Sequence, residues 1–183
     1  LRKFLKYELD KYLMGRYSEQ KYEPSIIKTE NHPYIHYNKA GLMMYTLSDF
    51  IGRDVFNNAL GRFIGKFRYQ SDPYTNIGEF IKSIREETPD DLQYLISDTF
   101  EKITLYENKA KEAYAIENED GTFTVTMEIE VKKVHSDSVG NQTDAKLNDW
   151  LEIGIMGEKL VDGKMNEFPI YLEKVFVTDT LKT

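Results

Sequence analysis

Apolar residues at Leu1, Phe4, Leu5, Leu9 and Tyr12 recur at the spacing of one helix face. Gly15 predicts the end of that helix, because glycine tolerates a left-handed backbone at little cost. Residues 16–29 are polar, carry Pro24 and show no period, which predicts a loop. The stretch Pro33 to Leu47, P-Y-I-H-Y-N-K-A-G-L-M-M-Y-T-L, reads as an extended segment running into an apolar helix. Its stripe is Met43, Met44, Leu47 and Ile51, and Gly52 ends it. A further helix is expected over residues 54–67, with Phe56, Leu60, Phe63 and Phe67 on one side. Gly61 and Gly65 inside it each weaken it by about 1 kcal/mol relative to Ala, and their missing side chains suggest the close approach of another backbone. Asn76 with Glu79 three residues on forms a capping-box pattern before Ile77, Phe80, Ile81 and Ile84. Thr88-Pro89-Asp90-Asp91 reads as a cap, a first helical position and two carboxylates at the positive dipole end. Leu92, Leu95, Ile96, Phe100 and Ile103 continue that stripe.

After Ala113 the period falls to two. Phe123, Val125, Met127, Ile129 and Val131 alternate with Thr122, Thr124, Thr126, Glu128, Glu130 and Lys132, the pattern of a half-buried strand. Asp120-Gly121 ahead of it predicts a hairpin tip, with Tyr114 to Glu117 as the incoming strand. A polar loop is expected from His135 to Asn148. Strands follow over Trp150 to Met156 and Phe168 to Val177, with a turn at Asp162-Gly163. The predicted class is α+β: an all-helical subdomain over residues 1–112, then an antiparallel sheet or half-sandwich over 113–183.

Composition narrows the function classes. Of 183 residues, 40% are hydrophobic and 30% charged, as in folded globular proteins. Thirteen tyrosines and ten phenylalanines supply large side chains for a core. The net charge of −7, with lysines scattered among glutamates, argues against nucleic-acid binding. Without cysteine there is no disulfide, thiolate nucleophile or Cys-based zinc site. No apolar run is long enough to cross a membrane. The chain starts at Leu1 without an initiator Met, which reads as an excised piece of a longer protein.

Candidate chemistry is sparse. His32 and His36 have the i, i+4 spacing of the H-E-x-x-H zinc signature, but Pro33 stands where the Glu belongs and biases the segment towards an extended form. His135, Asp137, Asn141, Asp144 and Asp149 gather hard ligands in one loop, without EF-hand spacing. Glu128 and Glu130 share the polar face of a strand. No serine or threonine has a histidine partner nearby in sequence or nucleophile-elbow glycines. Tyr37 remains. A tyrosine hydroxyl can donate a hydrogen bond to an oxyanion near neutral pH without changing charge.

The runs L-R-K-F-L-K-Y-E-L-D-K-Y-L-M-G-R and Y-I-H-Y-N-K-A-G-L-M-M-Y-T-L-S-D-F-I-G resemble the aminopeptidase-N-like gluzincin metallopeptidases. Within that family they look like the bacterial, transporter-associated forms. In that family a Tyr–x–Lys–Gly motif opens a helix after the zinc site, and its Tyr stabilises the tetrahedral oxyanion of peptide hydrolysis. The matching positions are Tyr37, Asn38, Lys39 and Ala40, with Gly41 next. N-D-W-L-E-I-G-I resembles the β domain that comes after the peptidase domain. The resemblance implies the C-terminal part of a peptidase domain plus the start of the next. It implies zinc in the intact parent and none in this chain, since the zinc helix and its Glu ligand precede the matching region. It further implies a peptide substrate, a zinc subdomain as partner, membrane transporter segments nearby, and a periplasmic-side location in a bacterium. The isolated chain is then expected to be inactive and to self-associate through an exposed helical face. The alternative is a non-catalytic peptide-binding or scaffold module.

Overall fold

In the computed structural model, which describes residues 1–20, 22–178 and the backbone of 181–182, the chain folds as α+β, helices first and antiparallel sheets after. Two compact units result: Leu1–Thr104 with His135–Thr143, and Leu105–Val134 with Asp144–Thr183. The division falls some eight residues before the expected boundary, and the polar turn after His135 belongs with the helices.

In the helical unit, α1 (Arg2–Ser18) runs straight through Gly15. Gly15 is not a stop. A methyl group there would collide with Cβ and Cγ of Tyr34, so the glycine lets α1 and the Tyr34 segment meet. The stripe expected to bury α1 stays largely in solvent: Tyr12 is buried, whereas Leu1, Phe4 and Leu9 are exposed. A short 3-10 turn (Ile26–Lys28) leads to a π-helical turn over Tyr34–Lys39, which continues without a break into α2 (Ala40–Ile51). The expected extended entry is therefore helical. Proline restricts the residue before it, here His32, while its own φ of −54° is already helical and its missing N–H is not needed in a first turn.

Gly52, at φ +94°, separates α2 from α3 (Arg53–Phe67), a backbone position few other residues tolerate. Gly61 and Gly65 in α3 face open space, so no backbone approaches them. The capping box at Asn76–Glu79 forms as read and starts α4 (Ile77–Glu87). Thr88, by contrast, does not cap the helical turn after it. Its hydroxyl donates to the Ile84 carbonyl, closing α4 instead. The chain then passes through a 3-10 turn (Asp90–Leu92), α5 (Gln93–Ile96) and a π turn (Ser97–Glu101). Ile35, Leu47, Ile84, Ile96 and Phe100 form the buried centre, each such side chain contributing about 1.5–3 kcal/mol. Phe67, Phe63, Phe80 and Phe100 step across it at centroid distances of 5.0, 5.4 and 6.3 Å.

Strand β1 (Ile103–Glu117) starts eleven residues before the strand expected from Tyr114. Ile103 ends one pattern and begins the other, because a single isoleucine fits a helical stripe and a strand face equally well. It pairs in a sheet of order β1-β2-β3, with β2 (Phe123–Ser136) and β3 (Gln142–Asp144); β6 (Leu181–Lys182) also pairs with β2. The Asp120-Gly121 tip is a turn, with Gly121 at φ +77°. A second, two-stranded sheet joins β4 (Asp149–Val161) to β5 (Lys164–Val177) through Asp162-Gly163, both at positive φ. Val131, Leu147 and Val177 form this unit's buried cluster, flanked by Ile129, Leu151 and Val175. Beyond it the inner faces leave an apolar cleft of about 640 Å³ between Phe123, Val125 and Met127 on one sheet and Ile153, Ile155 and Ile170 on the other. Among the described residues no helix is long and apolar enough to cross a membrane.

Candidate functional site

The π turn presents Tyr37. A π-helical turn is wider than an α-helical one and recurs at functional sites. Here it sends Ile35 and Lys39, four residues apart, into the protein, and leaves His36 and Tyr37 outside. Ile35 is fully buried, and Tyr37 is 71% exposed. The His36 ring meets the Tyr37 ring edge-on at 4.4 Å between centroids. Among the described residues nothing accepts a hydrogen bond from the Tyr37 hydroxyl. A donor so presented is available to a group arriving from solvent or from another polypeptide.

Behind Tyr37 lies a buried ionic cluster. Glu23, 7% exposed, accepts at Oε1 from the Tyr12 hydroxyl at 2.8 Å and from Lys39 Nζ at 3.2 Å. Its Oε2 lies 2.6 Å from Arg16 Nη1, which also donates to the Tyr12 hydroxyl at 3.2 Å. Lys39 is 5% exposed, and its ammonium sits 4.9 Å from the centre of the Tyr12 ring. Burial holds the Lys39 ammonium below its ordinary pKa, against the opposing pull of Glu23. Burial and the Glu23 charge push the Tyr12 hydroxyl well above the usual tyrosine range. Tyr34, whose hydroxyl is buried and without a partner, is pushed up to about 12, by burial first and then by Glu23 and Glu19. The sequence offers no local sign of this cluster, since its members come from residues 12, 16, 23 and 39.

The remaining candidates do not assemble. His32 and His36 are joined through the backbone, His36 N–H donating to the His32 carbonyl at 3.1 Å. Their rings go different ways, His32 edge-on to Tyr34 at 6.1 Å and His36 onto Tyr37. The acidic group after His135 is spent on structure. Asp137 accepts from Asn141 and from the backbone of Val139, closing the turn. Asp144 pairs with Lys132, and Asp149 is buried with Lys133 at 2.9 Å. His135 Nε2 lies 3.2 Å from the buried Asp98. The cation site considered for this loop therefore does not form. Glu130 pairs with Lys111 across the hairpin. Among the described residues no three His, Cys, Asp or Glu side chains could hold a metal ion. Among the described residues, then, no donor set fits a catalytic zinc. Comparison with protein-family models, with curated proteins and with solved structures gave no match.

Proposed function

We propose that this chain supplies the oxyanion-stabilising Tyr37 and part of the substrate-cleft wall to a zinc-dependent, aminopeptidase-N-like metallopeptidase. The observation that carries the reading is the exposed, unengaged Tyr37 hydroxyl on a helical turn within the matching run. When water attacks a peptide carbonyl, the oxygen gains negative charge. The Tyr37 hydroxyl donates a hydrogen bond that strengthens as the charge develops, so it lowers the barrier more than it tightens substrate binding. The reading assigns the zinc ligands to sequence other than these 183 residues, and this chain alone hydrolyses nothing. The periplasmic-side, transporter-linked setting rests on the resemblance. In the natural polypeptide that contains this chain, Tyr37→Phe should lower kcat by about 10²–10³-fold on an aminoacyl anilide, with zinc content unchanged. Near-normal turnover sinks the assignment.

A second reading, a non-catalytic peptide-binding module, is favoured by the apolar cleft between the two β-hairpins. Zinc content separates the two. One zinc per natural polypeptide with an H-E-x-x-H segment supports the peptidase; no zinc and no such segment supports the binding module.

A further inference from the structure

The ties that bind this turn to the rest of the helical unit are made by the neighbours of Tyr37, while among the described residues its own ring meets only the adjacent His36 ring. Lys39, two residues on, ends in the Glu23 cluster. Asn38, one residue on, donates from Nδ2 to Glu8 Oε2 on α1 at 2.7 Å. Ile35, two residues back, is fully buried. Tyr34 lies in the notch that Gly15 leaves in α1. The Glu23 backbone is held in turn, its N–H donating to the Ser138 carbonyl at 2.8 Å.

Burying an ammonium group is costly unless it is paired, and an apolar residue of the same length would fill the space at position 39. A charged side chain there adds direction: its nitrogen must reach one carboxylate, and that fixes the rotation and height of the turn. The ring two residues away is aimed by the same constraint. Displacing a catalytic group by about 1 Å can cost on the order of 10²-fold in rate.

We infer that Glu23 and Lys39 are positioning residues for Tyr37, a buried ion pair that locks the π turn so that the tyrosine hydroxyl projects in one direction. The inference rests on the role proposed above for Tyr37, and its test has an arm that does not. In this chain, Lys39→Met should speed amide hydrogen exchange at residues 36–40 by roughly tenfold or more, while the amides of α4 keep their rates. Unchanged exchange at 36–40 overturns the lock, whatever the chain's activity.

The second arm is a double-mutant cycle in the natural polypeptide. Lys39→Met should lower kcat by about 10–100-fold with KM within roughly twofold. Added to Tyr37→Phe, the same substitution should cost less than about twofold, because the group it positions is already gone. Equal losses in both backgrounds overturn the positioning role and indicate a general structural effect. If Tyr37→Phe alone leaves kcat intact, the peptidase reading fails, and the exchange arm still decides the lock. Should Lys39→Met not fold, Asn38→Ala removes only a part-buried hydrogen bond and carries both arms at about 3–10-fold.

Discussion

Replacing Glu23 by Gln tests whether the ionic cluster is an energetic tie. The substitution keeps the size and an acceptor oxygen but removes the one negative charge that two cations share. Arg16 recovers some solvation, since about a quarter of its side chain is exposed, whereas Lys39 at 6% side-chain exposure cannot. Leaving a buried charge without its partner typically costs about 3–5 kcal/mol. With Arg16 part-exposed and the neutral amide still accepting hydrogen bonds, the lower end applies, about 3 kcal/mol at pH 7. With a urea slope of ~2 kcal/mol/M, that moves the midpoint of the helical CD signal at 222 nm down by about 1.5 M.

The sign of the pH dependence provides an independent check. Lys39 is held below its ordinary pKa in the folded state, and removing Glu23 takes away the charge that opposes this shift. Between the folded pKa and the unfolded value of about 10.4, the unfolded chain binds more protons. Stability therefore rises with pH through that window. The deficit of Glu23→Gln should shrink as pH rises from 7 towards the unfolded value. A loss under about 1 kcal/mol at pH 7, with no change as pH rises towards that value, would refute the reasoning.

Two further outcomes concern the tyrosines of the same region and the glycines of α3 and α1. Tyr12 and Tyr34 keep their protons in the folded state above the usual tyrosine range, so the unfolded chain loses protons first as pH rises past about 10. Their contribution is complete below that pH and is lost towards pH 12. The thermal midpoint should fall across that interval, with Tyr12 and Tyr34 ionising later at 295 nm than ordinary tyrosines; a midpoint flat to pH 12 contradicts this. Gly61→Ala and Gly65→Ala meet open space in a helix interior and should each stabilise by about 0.5–1 kcal/mol in urea titrations. Gly15→Ala meets the fixed end of the Tyr34 side chain and should cost about 1–3 kcal/mol; the opposite order would mean that α1 and the π turn do not meet.

Local patterns carried the fold where one segment decides its own structure. The Asn76–Glu79 box, Gly52 and the two Asp-Gly turns each depend on residues adjacent in sequence, and all form as read. The misreadings arise where a distant segment decides. Gly15 answers to Tyr34, nineteen positions away, and so looks like a helix stop when α1 is read alone. Thr88 was available to either neighbour, and the Ile84 carbonyl took its hydroxyl. Pro33 marks a helix start, because its restriction falls on His32 and not on the residues after it. At the candidate site, the resemblance nominates Tyr37, and the structure places that residue on the surface. Glu23, Arg16 and Tyr12 were not legible, because no spacing rule connects positions 12, 16, 23 and 39. The sequence names Lys39 only as a position of the motif, and its burial beside Glu23 is visible only in the structure.

The hydrogen bond that Tyr37 is proposed to make belongs to the tetrahedral state, and a phosphinic pseudopeptide carries a tetrahedral oxyanion in place of the scissile carbonyl. Its inhibition constant, measured on the natural polypeptide with and without Tyr37→Phe, tests the claim most directly. The account predicts about a 10²–10³-fold loss of affinity for the phosphinate, with the affinity for a planar substrate-like peptide unchanged within roughly threefold. Equal affinities of the two proteins for the phosphinate would contradict it.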